Sequence, residues 1–373
     1  MNALTPPPPR PWGLPLPLRV ALTLLLAWAA ARLCVWWHTP IPWMIGPLVA
    51  TALVSVIGAP TASWNPLRNS GQWVIGAALG LYFTPTVGAL VVGLWWAIAL
   101  GIAWALALGL GFGAWLQRVH ARQLDHLSPA ELRSTTYFAG AIGGASEMTL
   151  IAERHGARTD LVAAAHSLRV LLVTLTIPFG MQAWGVVGID LAPPGAREVL
   201  PVGLALLTAL TLLGILVMRR LGRANPWFMG ALLVTMGLTL SGVTLSAIPP
   251  GLSAAAQLVI GVSLGVRFTP AFVHTAPRWL ASVAFASVFM MAVCAGFAWL
   301  LSLASDLHPA TLILGTSPGG IAEMAITAKV LQLGVPMVTA FQVCRLVAVL
   351  VLAEPVYRAW VLPRVSGGSD LRG

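Results

Sequence analysis

Charge is what this sequence has least of. Asp, Glu, Lys and Arg make up 9% of its 373 residues, whereas 58% are hydrophobic. A soluble domain carries roughly 25% charged residues. Such scarcity excludes a chain that faces water over most of its surface, so lipid is the expected solvent for much of it. Cysteine is nearly absent as well. Cys34, Cys294 and Cys344 all lie in apolar runs and form no CxxC pair. That excludes a disulfide framework and a thiolate metal centre, and the three thiols are expected to be small buried apolar side chains. There is no P-loop, no HExxH and no nucleophile elbow, and the scattered His residues lack metal-ligand spacing. No metal, cofactor or catalytic residue is expected, and the chain is read as a non-enzyme. Basic residues outnumber acidic ones 21 to 11, for a net charge of +10. The arginines are spread over short loops with no basic helix or stripe, which argues against direct nucleic-acid binding and for the positive-inside bias of a membrane protein.

What is present is a succession of apolar segments. They run roughly over 16–37, 41–58, 69–83, 88–116, 136–152 and 160–183, then 199–218, 226–243, 251–267, 279–303, 309–328 and 336–357. Lipid forbids unpaired backbone groups, so each is expected to be helical. Residues 1–15 form a Pro-rich tail, and the apolar stretch behind it is long enough to span and is expected to stay in the mature chain. Residues 16–184 and 199–360 make two membrane repeats, and 361–373 a cytoplasmic tail.

The repeats are visible in four blocks that recur in order. Pro42-Trp43-Met44-Ile45-Gly46 matches Pro226-Trp227-Phe228-Met229-Gly230. The stretch from Val74 to Pro85, with its VIGxxLGxxFTP pattern, matches Val259 to Pro270. Gly143-Gly144-Ala145-Ser146-Glu147-Met148 matches Gly319-Gly320-Ile321-Ala322-Glu323-Met324, and Arg169 follows Glu147 at the interval by which Arg345 follows Glu323. An internal duplication is the simplest source of such order.

Charge also orients the chain. With five crossings per half, a GGxxEM segment that dips in and returns, and a cytoplasmic N-terminus, nearly all arginines fall inside. Only Arg197 and Lys329 fall in outer loops, and Arg32, Arg169 and Arg345 lie within helices. A plain twelve-helix count would place Arg219, Arg220 and Arg223 outside, against the positive-inside rule. Five is odd, so the second half starts outside and the halves form inverted repeats. The expected fold is therefore all-α and integral to the membrane, with about ten transmembrane helices plus two re-entrant or broken ones. Both termini are expected in the cytoplasm.

Glu147 and Glu323 are the sharpest chemical signal. A charged residue near the bilayer centre costs at least roughly 2.5–3.5 kcal/mol and is functional by default. Arg169 and Arg345, on the following helices, are the expected partners, and the bland alternative is two stapling ion pairs. Gly143-Gly144, and Ser317 with Gly319-Gly320, are expected to let the helix unwind. Free N–H groups there attract an anion, and exposed carbonyls hold a cation. Paired broken helices at matching positions of inverted repeats point to a solute site. His166 and Gln342 occupy matching positions, and either line that cavity or form interhelical hydrogen bonds. Most of the 16 Trp lie at segment ends, as interfacial anchors. Pro85 and Pro270 are expected to end helices.

These duplicated blocks resemble the bacterial AbrB-type membrane protein family with its tandem membrane duplication, over about residues 16–360. Ser146 against Ala322, and His155 and Arg158 against Leu331 and Gly334, are the small departures between the halves. The resemblance implies a bacterial inner-membrane protein associated with regulation of gene expression. Members also carry labels as ammonia monooxygenases, which would need a metal constellation that this sequence does not offer. The name is shared with a small soluble DNA-binding regulator, which this chain does not resemble. The residues themselves lead to a secondary transporter of a small, anionic solute, with H⁺ or Na⁺ as coupling ion. A membrane-bound regulator acting indirectly is the second reading, and an oxygenase-associated subunit the third.

Overall fold

The computed structural model describes residues 14–124, 127–186, 188, 198–223 and 225–361. Most of the expected tails 1–15 and 361–373, and of the loop 184–198, lies outside the described residues. Among the described residues there are sixteen α-helices, one terminal π-helical turn and no strand. The first half contributes α1 (Leu16–Trp36), α2 (Pro42–Val56), α3 (Asn65–Gly80), α4 (Pro85–Gly93), α5 (Trp95–His120), α6 (Pro129–Gly140), α7 (Ala145–Arg154) and α8 (Thr159–Ala183). The second contributes α9 (Pro201–Arg220), α10 (Pro226–Leu240), α11 (Pro250–Gly265), α12 (Pro270–Thr275), α13 (Pro277–Ser305), α14 (Pro309–Thr316), α15 (Ile321–Val330) and α16 (Val335–Val356). Helix follows helix in the same order in both.

The chain is an all-α membrane protein. Six helices (α1, α5, α8, α9, α13 and α16) are long and apolar enough to cross a bilayer, while α2, α10 and α11 are shorter apolar helices. The expected single segment 88–116 is divided at Leu94 into α4 and α5, and α3 and α4 meet at 89°. Pro85 and Pro270 do not end helices. They open α4 and α12, after Gly80 and Gly265 have closed the preceding ones. Proline lacks an N–H and has a fixed φ, so it suits the first helical position, where no donor is needed. The same reasoning covers α2, α6, α9, α10, α11, α13 and α14, each of which opens on Pro.

The lipid-facing surface is supplied largely by α1, α9 and α13. Leu25, Trp28, Val202, Leu213, Phe285 and Leu300 are all exposed. Inside, buried Thr and Ser side chains bond back to helix carbonyls, as Thr51 does to Pro47 and Thr316 to Leu312. Cys294 is buried as expected. Cys34 is half-buried and Cys344 is exposed, because it sits on the outer face of α16.

The duplicated blocks serve packing across the two halves. α3 packs on α10, and α11 on α2. A Cβ at Gly80 would lie 2.9 Å from the Leu232 carbonyl oxygen, and one at Gly265 would lie 2.7 Å from that of Leu48. The VIG pattern thus supplies small residues where two backbones must touch, a recurring device of membrane helices. A second bundle, α5–α8 with α13–α16, is cross-linked in the same way through α5 on α16 and α8 on α13. Both Pro-Trp blocks follow a residue in the left-handed region, Ile41 (φ 45°) and Asn225 (φ 47°). Asn adopts this readily; for buried, β-branched Ile41 it is strained.

Candidate functional site

Each Gly pair interrupts a helix. α6 stops at Gly140 and α7 starts at Ala145; α14 stops at Thr316 and α15 starts at Ile321. With 12, 10, 8 and 10 residues, none of the four reaches across a bilayer core alone, since about 20 residues are needed. Gly144 and Gly320 are the residues preceding α7 and α15, and Glu147 and Glu323 occupy the third helical position. A Cβ at Gly144 would collide with Oε2 of Glu147, and one at Gly320 with Oε2 of Glu323. Both carboxylates therefore fold back over the positive N-terminal end of their own helix. At Gly143 a Cβ would come within 2.8 Å of Met148, and at Gly319 within 2.9 Å of Met324. The Gly pairs are where a side chain and a sharp turn share one space.

The arginines do something other than pair with these carboxylates. Among the described residues the ion pairs are His155–Glu354, Arg158–Asp160 and Arg358–Glu354. Arg169 donates to the carbonyls of Ala139 (3.4 Å), Gly140 (3.4 Å) and Ala141 (2.8 Å), and to His166 Nδ1 (2.7 Å). Arg345 donates to the carbonyls of Ser317 and Gly319 (2.8 Å) and to Gln342 Oε1 (2.6 Å). The break itself explains this. A helix that stops inside the protein strands its last carbonyls, which carry the negative end of the dipole. A buried guanidinium with five donors satisfies them.

His166 and Gln342 complete the device. Arg169 can only donate, so His166 Nδ1 accepts; Nε2 then carries the proton and donates to the Phe138 carbonyl (2.9 Å). Gln342 reproduces the pattern with one amide: Oε1 accepts from Arg345, and Nε2 donates to the Leu314 carbonyl (2.7 Å). Of the two readings of this pair, the structure shows interhelical hydrogen bonding. Ser317 is buried and bonds to the Leu314 carbonyl (3.2 Å).

The two breaks meet at one cavity of about 290 Å³. Gly143, Gly144, Glu147, Gly319, Gly320, Glu323 and Arg345 line it; His166, Arg169, Ser317 and Gln342 are not in its lining and hold the breaks together from behind. Glu323 is buried and Glu147 half-buried. The sequence reading missed Arg68, Asn69 and Gln72 on α3, Asn225 before α10, and Arg267 after α11, all of which line the same cavity. Arg68 and Arg267 were counted as loop charges. The one signal that could have found them is their place next to or within a repeated block. The walls thus carry three arginines against two glutamates, at the junction of the two halves.

A helical membrane protein with two matched helix breaks around one cavity lined by charged side chains is the class that fold and site define. Residues 43–361 match the family model described as "Transition state regulatory protein AbrB", and the chain belongs to the AbrB family. It is 25% identical over 343 residues to "Uncharacterized protein YhjN" of Bacillus subtilis (strain 168), covering 85% of this chain and 87% of that one. It is 26% identical over 332 residues to "Putative regulator AbrB" of Escherichia coli (strain K12), covering 86% and 90% respectively.

Proposed function

We propose that this protein is a secondary transporter of a small anionic solute in a bacterial cytoplasmic membrane, with both termini inside and the halves related as inverted repeats. The observation that carries the proposal is the cavity where both helix breaks meet. Two helix N-termini, Arg68, Arg267 and Arg345 surround it, with Glu147 and Glu323 as the acidic side chains of its lining among the described residues. Paired broken helices at a repeat interface are how inverted-repeat transporters hold solute and coupling ion. A volume of about 290 Å³ is that of roughly ten water molecules at about 30 Å³ each, which suits a small metabolite. The excess of guanidinium over carboxylate favours an anion. The carboxylates are the groups to which a coupling H⁺ or Na⁺ would bind.

The descriptions of the family and of the Escherichia coli relative favour a second, compatible reading, in which gene expression responds to the solute that crosses the membrane. The deciding experiment is a solute screen in proteoliposomes with and without pH and Na⁺ gradients. The expected outcome is gradient-dependent uptake of an organic or inorganic anion, lost in Glu147→Gln and Glu323→Gln. Uptake that is unchanged in both variants, at normal expression, would remove the two glutamates from the site.

A further inference from the structure

A second, larger cavity of about 760 Å³ adjoins the first. Arg68, Ser263 and Arg267 line both, so these residues mark the boundary, here called the neck, where the two cavities border on each other. Among the described residues, the lining of this larger cavity, taken here as the outer one, includes Arg19, Arg68 and Arg267 and no acidic side chain. Arg19 is already committed: its guanidinium holds the carbonyls of Pro60 (3.0 Å) and Thr61 (2.9 Å). The other two are not. Among the described residues neither the Arg68 nor the Arg267 guanidinium has a hydrogen bond or ion pair, and Arg68 Nε is buried without a partner. An unsatisfied buried guanidinium atom is costly and calls for an acceptor.

The two halves differ at this point. In the register of the VIG block, Arg267 stands where the first half has Tyr82, and Arg68 where the second has Ser253. Tyr82 is buried, 5% exposed, in the main core cluster, whereas Arg267 stands at the neck. The duplicated scaffold thus carries arginine at only one member of each of these two matched positions. The duplication alone does not account for them, because the matching positions are filled by Tyr and Ser.

We propose that Arg68 and Arg267 form an entrance filter, which takes the carboxylate or phosphate group of a small soluble anion on its way from the outer cavity to the helix breaks. The filter rests on the transporter reading for its purpose but not for its existence. Two guanidiniums side by side on low-dielectric cavity walls concentrate counter-ions, raising the local anion concentration by about 10–10³-fold. They also offer the paired donors that carboxylate and phosphate geometry matches.

The test measures charge selectivity without transport. Full-length protein carrying Cys34→Ala, Cys294→Ala and Cys344→Ala receives a reporter thiol through Gln72→Cys, on the inner cavity wall one turn from Arg68. Its reaction rates with a sulfonate-bearing and a trimethylammonium-bearing methanethiosulfonate are compared, each normalised to free cysteine. The anionic reagent is expected to react about tenfold faster or more. The preference should collapse in Arg68→Gln/Arg267→Gln and persist in Arg68→Lys/Arg267→Lys, which keeps the charge if the glutamine pair folds poorly. Inorganic phosphate and succinate should each slow labelling in phosphatidylcholine nanodiscs. Protection that requires phosphatidylglycerol would make a lipid headgroup the occupant and overturn the proposal. So would equal rates, or a preference that survives the glutamine pair. Charge-selective labelling in a protein whose uptake screen is silent would remove the transporter reading and leave the filter; active uptake with unselective labelling would do the reverse.

Discussion

Replacing His166 by Gln tests whether this histidine carries protons or only hydrogen bonds. In the second half Gln342 already does the work of His166: it accepts from Arg345 at 2.6 Å and donates to the Leu314 carbonyl at 2.7 Å. His166→Gln should therefore keep both bonds and melt within about 2 °C of the parent, a shift of at most about 1 kcal/mol. His166→Leu removes an acceptor from a charged donor, worth about 1.5–3 kcal/mol, and strands the Phe138 carbonyl at a further cost of about 1–3 kcal/mol. The sum, about 2.5–6 kcal/mol, corresponds to a loss of about 5 °C or more in melting temperature at about 2 °C per kcal/mol. Tryptophan fluorescence or dye-based melting of detergent-purified protein measures both. The second readout is the pH profile of uptake. Glutamine does not titrate, so an unchanged profile in His166→Gln is expected. A profile that shifts, or activity lost at parental stability, would refute the structural role and return His166 to the solute path.

Four further outcomes are expected. Gly140→Ala should destabilise by about 1–3 kcal/mol, because its Cβ would come within 2.6 Å of the Gly113 backbone nitrogen on α5; Gly144→Ala should melt near the parent yet lose uptake, since it displaces only the Glu147 carboxylate. Equal effects of the two on melting would contradict this assignment of roles. Arg345→Leu should cost about 3 kcal/mol or more by stranding the Ser317 and Gly319 carbonyls, and a parental melting temperature would show that water replaces the guanidinium. Single-cysteine accessibility should place loop 184–198 and loop 219–223 on opposite sides of the membrane; finding both on one side would remove the inverted relation of the halves. Purified protein should show no sequence-selective DNA shift at physiological salt, and a salt-resistant shift would overturn indirect regulation.

Much of this architecture was legible in the sequence, and the reason is duplication. A Gly pair followed by Glu, seen twice, pointed to helix breaks at 143–144 and 319–320, where the structure has them. The VIG blocks marked the duplication but not the packing their glycines serve, since the partners α10 and α2 lie far off in the chain. The Glu–Arg pairing was a natural error. Composition shows that a buried arginine needs acceptors, but the acceptors here are backbone carbonyls that exist only because the helix stops. Arg68 and Arg267 were missed for the opposite reason. They have no counterpart in the other half, so a search guided by repetition passes over them, and the positive-inside count absorbs any arginine near a helix end.

The interlocked packing has a consequence for how the protein is made. The groove on α3 that receives α10 is complete when residue 80 leaves the ribosome, yet α10 begins only at Pro226. At about 5–20 residues per second, the intervening stretch of about 150 residues takes roughly 7–30 s to synthesise. Throughout that interval the small-residue faces of α3 and α2 stand open to lipid or to the insertion machinery. The nascent first half is a complete set of helices without a complete interior. A ribosome that stalls near the centre of the message would release a substrate for membrane proteases, and not a stable half-protein.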